Sequence, residues 1–363
     1  VADVSPLAGL YPDGVKTEVI GDAVVPWSFS SLDEEHGALR QSTGLLDFSS
    51  LGRISITGTG SMDFLQSQVA RDIAYLFPER CLTTLLMDDD ANPIDIVVIY
   101  KVQGGYILET SMGRGTETLA YLEERAPAGV TFTDLRSTNA AVALEGPFCW
   151  QLVSQVFDPQ LTGLTYQGVQ LSEWEGHEIL VSRLGFTGEY GFKFDLPIDA
   201  AQKLWSRLAE EAKPVGYEAI EVAMLEVRQP MLHREVGADG NVMRCGLNWL
   251  VELEKDDYAG REALMAQRDA GPDVLPVSFT VEGNVALPAG AKVTAAGELE
   301  IGAVVHSVYS PHLSKVVGVA RVGAEWAASG LELEVEHATE GALPLRTVSA
   351  PFLIPLSWRV PIL

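Results

Sequence analysis

The sequence predicts a mixed α/β (α+β) fold followed by a small all-β domain, and three observations carry that expectation. Runs of alternating β-branched residues and runs of helical periodicity are interleaved through about residue 270. From 275 onward the pattern changes to short strands divided by Gly, Pro and Asn, as a β-barrel or sandwich requires. At 363 residues the chain is long enough for two or three domains with ample core.

Taken in order, period-two alternation places strands over 53–57, 94–101, 105–110, 140–144 and 179–183. The 3.6-residue period places helices over 62–76, 116–125, 147–157, 200–212, 217–228 and 261–270. Asp199 followed by Gln202 has the spacing of a capping box, in which each side chain satisfies an orphan backbone N–H. The turn-rich stretch 270–275 is the expected boundary, giving domains over 1–272 and 273–363. No repeat, coiled coil or low-complexity tract interrupts this order.

Composition excludes several classes of function. Twenty-five Lys and Arg stand against 50 Asp and Glu, a formal charge of −25. A phosphate backbone or an acidic lipid surface would be repelled over most of such a surface, so neither nucleic acid nor membrane is an expected partner. An apolar fraction of 47% excludes a disordered chain. The apolar runs 94–100 and 351–356 fall far short of the ~20 residues a spanning helix needs. Pro, Gly, Asp and Lys interrupt the first 20 residues, so no signal peptide is visible. Cys81, Cys149 and Cys245 are odd in number and far apart, which predicts small buried hydrophobes in a reducing cytoplasm.

Standard catalytic motifs are absent from the sequence. There is no Walker phosphate loop, and Gly58-Thr59-Gly60 lacks the third glycine of a dinucleotide fingerprint. His177-Glu178 stands alone without a second zinc-ligand histidine, and no nucleophile elbow occurs. His306 and His312 flank a turn containing Ser310-Pro311 and are expected to be ordinary hydrogen-bonded histidines rather than metal ligands.

Three segments carry a resemblance. Residues 183–194 read RLGFTGEYGFKF and resemble the aminomethyltransferase-family stretch G-Y-T-G-E-x-G-Y-E-I. Residues 258–265, YAGREALM, are similar to that family's F-I-G-R-E-A-L. Residues 306–322, HSVYSPHLSKVVGVARV, resemble the C-terminal region of the folate-dependent dimethylsulfoniopropionate demethylase branch. Further matches lie at 31–49, 87–100, 143–147 and 243–251, so the resemblance spans nearly the whole chain in order. It implies a three-domain ring: two interlocked α/β domains, roughly 1–50 with 140–272 and 51–139, and a C-terminal β-domain. It also implies a central cleft for tetrahydrofolate.

Carried over residue by residue, the resemblance makes Asp95 the expected catalytic carboxylate, close to the reacting folate nitrogens. Asp95 interrupts an apolar strand, where a carboxylate is costly without a partner or a cleft; capping the Asn92-Pro93 turn is the structural alternative. Phe186 is expected to stack on the pterin and Glu189 to accept its N–H edge. Tyr100 is kept from the family pattern. Lys193 replaces the family's pterin-binding Glu and offers only donors. Thr110, Thr83, Leu51 and Met224 stand where the family has Asn, Tyr, Met and Arg.

These residues predict a tetrahydrofolate-dependent demethylase or methyltransferase acting on a small methylated metabolite. A diverged enzyme using the same cleft without folate and an aminomethyltransferase of the glycine-cleavage type are the alternatives. Docking of an acidic lipoyl carrier is disfavoured by the charge of −25. Were the donor cationic, Trp27, Trp150 and Trp174 could wall an aromatic cage, although core packing is the expected role of each.

Overall fold

The computed structural model describes residues 2–237, 240–297, 299–337, 339 and 341–362. A five-stranded antiparallel sheet runs in the order Cys81–Met87, Pro93–Val102, Gly105–Met112, Leu51–Gly58 and Val130–Asp134. Strand alternation divides its residues cleanly. Val97 and Ile99 pack with Ile54, Ile56, Phe64 and Leu65 beneath the helices Ser61–Gln68 and Gly115–Arg125. Ile96 and Val98 therefore face the other way.

A second sheet has six strands, ordered Val169–Trp174, His177–Ser182, Gly191–Pro197, Asn139–Glu145, Gly44–Asp47 and Lys213–Pro214. One face buries Val142, Leu144, Phe192 and Phe194 against the helices Cys149–Val156 and Ile198–Leu208. The opposite face carries the small residues Ala141 and Ala143, which leave room for the helix Tyr217–Val227. The strand Gly44–Asp47 precedes the first sheet in sequence yet pairs with Asn139–Glu145 in the second, so the chain leaves one unit, builds the other and returns.

The last unit is a closed six-stranded barrel, ordered Val274–Val281, Lys315–Gly323, Leu299–Ser310, Lys292–Ala295, Glu332–His337 and Gly341–Val348. Closure removes the exposed edges an open sheet of this size would present. Gly318 permits the packing, since a Cβ there would stand 2.3 Å from the Phe279 ring inside the barrel. Val317 and Val319 instead join the core around Tyr217–Val227 and seat the barrel on the α/β part.

Two local expectations fail for identifiable reasons. The helix expected over 62–76 ends at Gln68, because Val69 turns extended and bridges Leu86. Ile73 and Leu76 keep the apolar period by entering the same core from turns. The capping box is absent: Pro197 caps the helix Ile198–Leu208, Asp199 lies inside its first turn, and Gln202 donates to the Pro6 carbonyl at 2.9 Å.

Candidate active site

The inner faces of the two sheets and the Tyr217–Val227 helix line a narrow cavity. The five-stranded sheet supplies Leu51, Thr83, Ile96, Val98 and Glu109, and Phe186 stands on the wall from the loop after the second sheet's His177–Ser182 strand. Tyr217 and Met224 come from the helix, and Gln229 and His233 from the segment that follows it. The lining is mainly apolar with a few polar groups, the usual character of a small-molecule site.

Glu109 is paired with Val98 on one side and Arg53 on the other, so these side chains share the cavity face. Lys193, from the facing sheet, forms a buried ion pair with Glu109. Its Nζ also lies 5.4 Å from the Tyr100 ring centroid and 5.7 Å from that of Phe186. Two residues along, Asp195 pairs with Arg53 at 2.6 Å. Two opposite-charge pairs thus bridge the sheets behind the cavity, and each buried charge has its counter-charge. Burial raises the Asp195 carboxyl, while Arg53 pulls it down.

The Phe186 wall is fixed by Glu145. Its buried carboxylate accepts from the Phe186 N–H at 3.1 Å, the Thr187 N–H at 3.0 Å and the Thr187 hydroxyl at 2.6 Å. The Phe186 ring meets Phe48 edge-on with centroids 5.3 Å apart. Glu189, three residues on, turns away from the cavity. It accepts from the Leu356 N–H at 3.1 Å and the Ser357 N–H at 2.9 Å, and Arg40 reaches it at 3.3 Å. Tying down the C-terminal segment engages both Glu189 oxygens, which leaves that carboxylate badly placed for the pterin edge it was expected to hold.

Asp95 is likewise displaced from its expected place. Its side chain lies on the helix side of the sheet, where Oδ1 accepts from the Ser111 N–H at 3.1 Å and Oδ2 from the Thr118 hydroxyl at 2.7 Å. Burial pushes its pKa up to about 6, against the lowering effect of those bonds. The neighbouring Ile96 takes the cavity-facing position on this strand. A shift of one residue reverses the face a strand side chain occupies, and the apolar run on both sides of Asp95 gave no parity signal.

The other expected residues divide. Leu51, Thr83, Thr110, Phe186 and Met224 converge on the cavity. The Thr110 hydroxyl is already engaged, accepting from the Gly52 N–H and donating to the Ser111 carbonyl, both at 2.9 Å. Tyr100 and Lys193 lie behind the cavity floor with Arg53 and Asp195. Trp150 and Trp174 are core residues, and Trp27 packs on the core around Tyr217–Val227. His306 Nε2 is buried without a hydrogen-bond partner among the described residues, unlike the bonded histidine expected. The three cysteines are buried and form no disulfide among the described residues.

Glu109, Tyr217 and His233 were missed as cavity residues. Glu109 had a usable signal, since a lone acid between Leu108 and Thr110 in a strand needs a buried partner as much as Asp95 does.

Two family models cover the chain. One described as "GCVT N-terminal domain" matches residues 12–255, and one described as "Glycine cleavage T-protein C-terminal barrel domain" matches 276–353. The chain belongs to the aminomethyltransferase family. A protein named aminomethyltransferase from Geobacillus thermodenitrificans is 34% identical over 344 residues, covering 92% of this chain and 93% of the relative. Another of that name from a Synechococcus species is 32% identical over 90% of this chain and 92% of its own length. The fold matches the crystal structure of glycine cleavage system aminomethyltransferase T from Bartonella henselae with a TM-score of 0.89 at 22% identity, covering 98% of this chain and 99% of that one. As a member of this family the chain is an enzyme of one-carbon transfer.

Proposed function

We propose that the chain is a tetrahydrofolate-dependent one-carbon transferase whose donor is an aminomethyl group. The full-length relationship to aminomethyltransferases supports this reading most directly. Phe186 and Phe48 present aromatic surface to the cavity, against which a flat pterin ring would pack. Among the described residues, Glu109 gives one oxygen to Lys193 and its second accepts no hydrogen bond, leaving an acceptor for an N–H edge. Tetrahydrofolate, when bound, supplies a nucleophilic ring nitrogen. Phe186 would stack on the ring, Glu109 would accept from its donor edge, and Lys193 fixes and neutralises Glu109. Ile96, Val98 and Met224 exclude water around the reacting groups.

A methylated metabolite as donor is the second reading, motivated by the resemblance of residues 306–322 to the demethylase branch. That segment belongs to the barrel, with Ser310 bonded to Glu226, and supplies no lining residue. Its likeness therefore carries little about the donor. A lipoyl carrier is a compatible source of the aminomethyl group. Repulsion by a charge of −25 slows encounter with an acidic carrier, but it is screened beyond about 8 Å at physiological ionic strength.

The test is an anaerobic assay with tetrahydrofolate and either an aminomethyl-loaded lipoyl carrier or methylated sulfur, oxygen and nitrogen compounds. Ammonia and methylenetetrahydrofolate are the expected products of the first donor. Methyltetrahydrofolate formed only from the second group would overturn the aminomethyl reading.

A further inference from the structure

His233 stands at the cavity wall in a defined tautomeric state. Its Nε2 lies 2.7 Å from Glu221 Oε1, and Arg234 holds the same carboxylate through Nε and Nη2 at 3.1 to 3.2 Å. A carboxylate can only accept, so Nε2 carries the hydrogen and Nδ1 is the bare nitrogen of the neutral ring. Burial opposes the charged form of Glu221, but His233 and Arg234 outweigh it and hold its carboxyl below the usual range. Glu221 therefore stays an acceptor for the Nε2–H and leaves Nδ1 as the position that gains or loses a proton. Among the described residues no hydrogen bond to Nδ1 is formed, and the side chain is 20% exposed, enough to exchange protons with solvent.

The other ionisable groups of the lining are poorly suited to move a proton. Glu109 is committed to Lys193, and burial raises the Tyr217 hydroxyl far above neutrality. Tyr166 lies at the open edge, 64% exposed, and its phenol loses a proton only far above neutral pH. Asp95 is on the far side of the sheet. The charged and titratable groups around His233 are Glu221 on the Tyr217–Val227 helix, Arg234 and Glu235 on its own short helix, and His306 on the barrel strand Leu299–Ser310. Burial lowers the pKa of His306, so it adds no positive charge there at neutral pH. Histidine is the side chain whose ordinary pKa suits this work.

We propose that His233, oriented by Glu221, is the general acid of the cavity, protonating the donor atom as the one-carbon unit leaves it. The inference rests on the cavity being the one-carbon transfer site. In the step, the bond between the carbon and its donor heteroatom breaks with the electron pair remaining on the heteroatom. The imidazolium proton passes to that atom from Nδ1. The acceptor amine bonds to the carbon and releases its own N–H proton to solvent, which recharges the ring. For an aminomethyl donor, ammonia then leaves with the proton of a second acceptor N–H as that nitrogen closes on the carbon. No oxidation or reduction occurs. Glu221 is a positioning residue.

The test combines His233→Gln, which keeps a donor toward Glu221, with Glu221→Gln. In His233→Gln, turnover should fall about 10² to 10⁴-fold while tetrahydrofolate affinity by calorimetry stays within a few-fold. The wild-type rate should fall on the alkaline side as the imidazolium deprotonates, and that limb should be missing in His233→Gln. Glu221→Gln should lower kcat more than it raises KM. Independently of turnover, the His233 ring resonance, assigned by its loss in His233→Gln, should shift on adding tetrahydrofolate. A wild-type rate and pH profile in His233→Gln would overturn the role of His233 and leave the transfer site standing. An inactive wild type would count against the site, and an unmoved His233 resonance would then overturn the inference as well.

Discussion

Glu109 and Lys193 meet across the gap between the two sheets, their side chains only 2% and 5% exposed. The contact follows from register. Glu109 lies opposite Val98 and Arg53 in one sheet, and Lys193 lies opposite Ala143 in the other. The carboxylate lies at the cavity floor, and the ammonium holds it from just behind. The aminomethyltransferase-family pattern has an acid where this chain has Lys193, and here the acid comes from the neighbouring sheet.

Breaking that pair from one side should be costly. Lys193→Met leaves Glu109 buried without its counter-charge and should destabilise the protein by about 3–5 kcal/mol. Glu109→Gln combined with Lys193→Met should recover most of that loss. Urea denaturation of the three proteins checks both statements, and equal stabilities for the single and double variants would contradict them.

Asp95 gives a prediction about pH. Its pKa is raised from the usual 3.8 to about 6, so the folded protein binds its proton more tightly than the unfolded chain. The stability this contributes is fully present below pH 3.8 and is lost as pH rises through about 6. Asp95→Asn should therefore stabilise the protein at pH 7, by at most about 3 kcal/mol at 1.36 kcal/mol per pKa unit. The gain should shrink toward zero as pH falls to 4, and one-carbon transfer should survive the change. Melting temperatures across pH 4 to 8 measure the first, and the transfer assay the second.

Arg40 is the centre of a buried network. It pairs with Glu226 at 2.7 Å and Glu189 at 3.3 Å, Glu226 also takes Ser310 of the barrel, and Glu189 takes the C-terminal Ser357. Arg40→Met should cost about 3–5 kcal/mol by stranding two buried carboxylates. Proteolysis should then cut first near the C-terminus, whose anchoring depends on Glu189.

The architecture was legible because it depends on period. The change from interleaved helices and strands to short strands announces the closed C-terminal barrel. The helices 116–125 and 217–228 lie within a residue of those formed. The site was less legible because strand parity decides it. Asp95 and Glu109 are each single acids in strands buried on both faces, and only tertiary packing determines which one looks into the cavity. Glu189 was misplaced for another reason: its partners, Leu356 and Ser357, lie more than 160 residues away. His233 gave no signal at all, since its partner Glu221 becomes visible only once the chain has turned back on itself.

Anaerobic calorimetric titration with tetrahydrofolate tests the central claim most directly, comparing the wild type with the Glu109→Gln, Lys193→Met double variant. The account predicts micromolar binding by the wild type and affinity weaker by about 10 to 100-fold in the variant, the cost of a lost charged hydrogen bond. Equal affinities, or no wild-type binding up to about millimolar, weaker than roughly −4 kcal/mol, would contradict it.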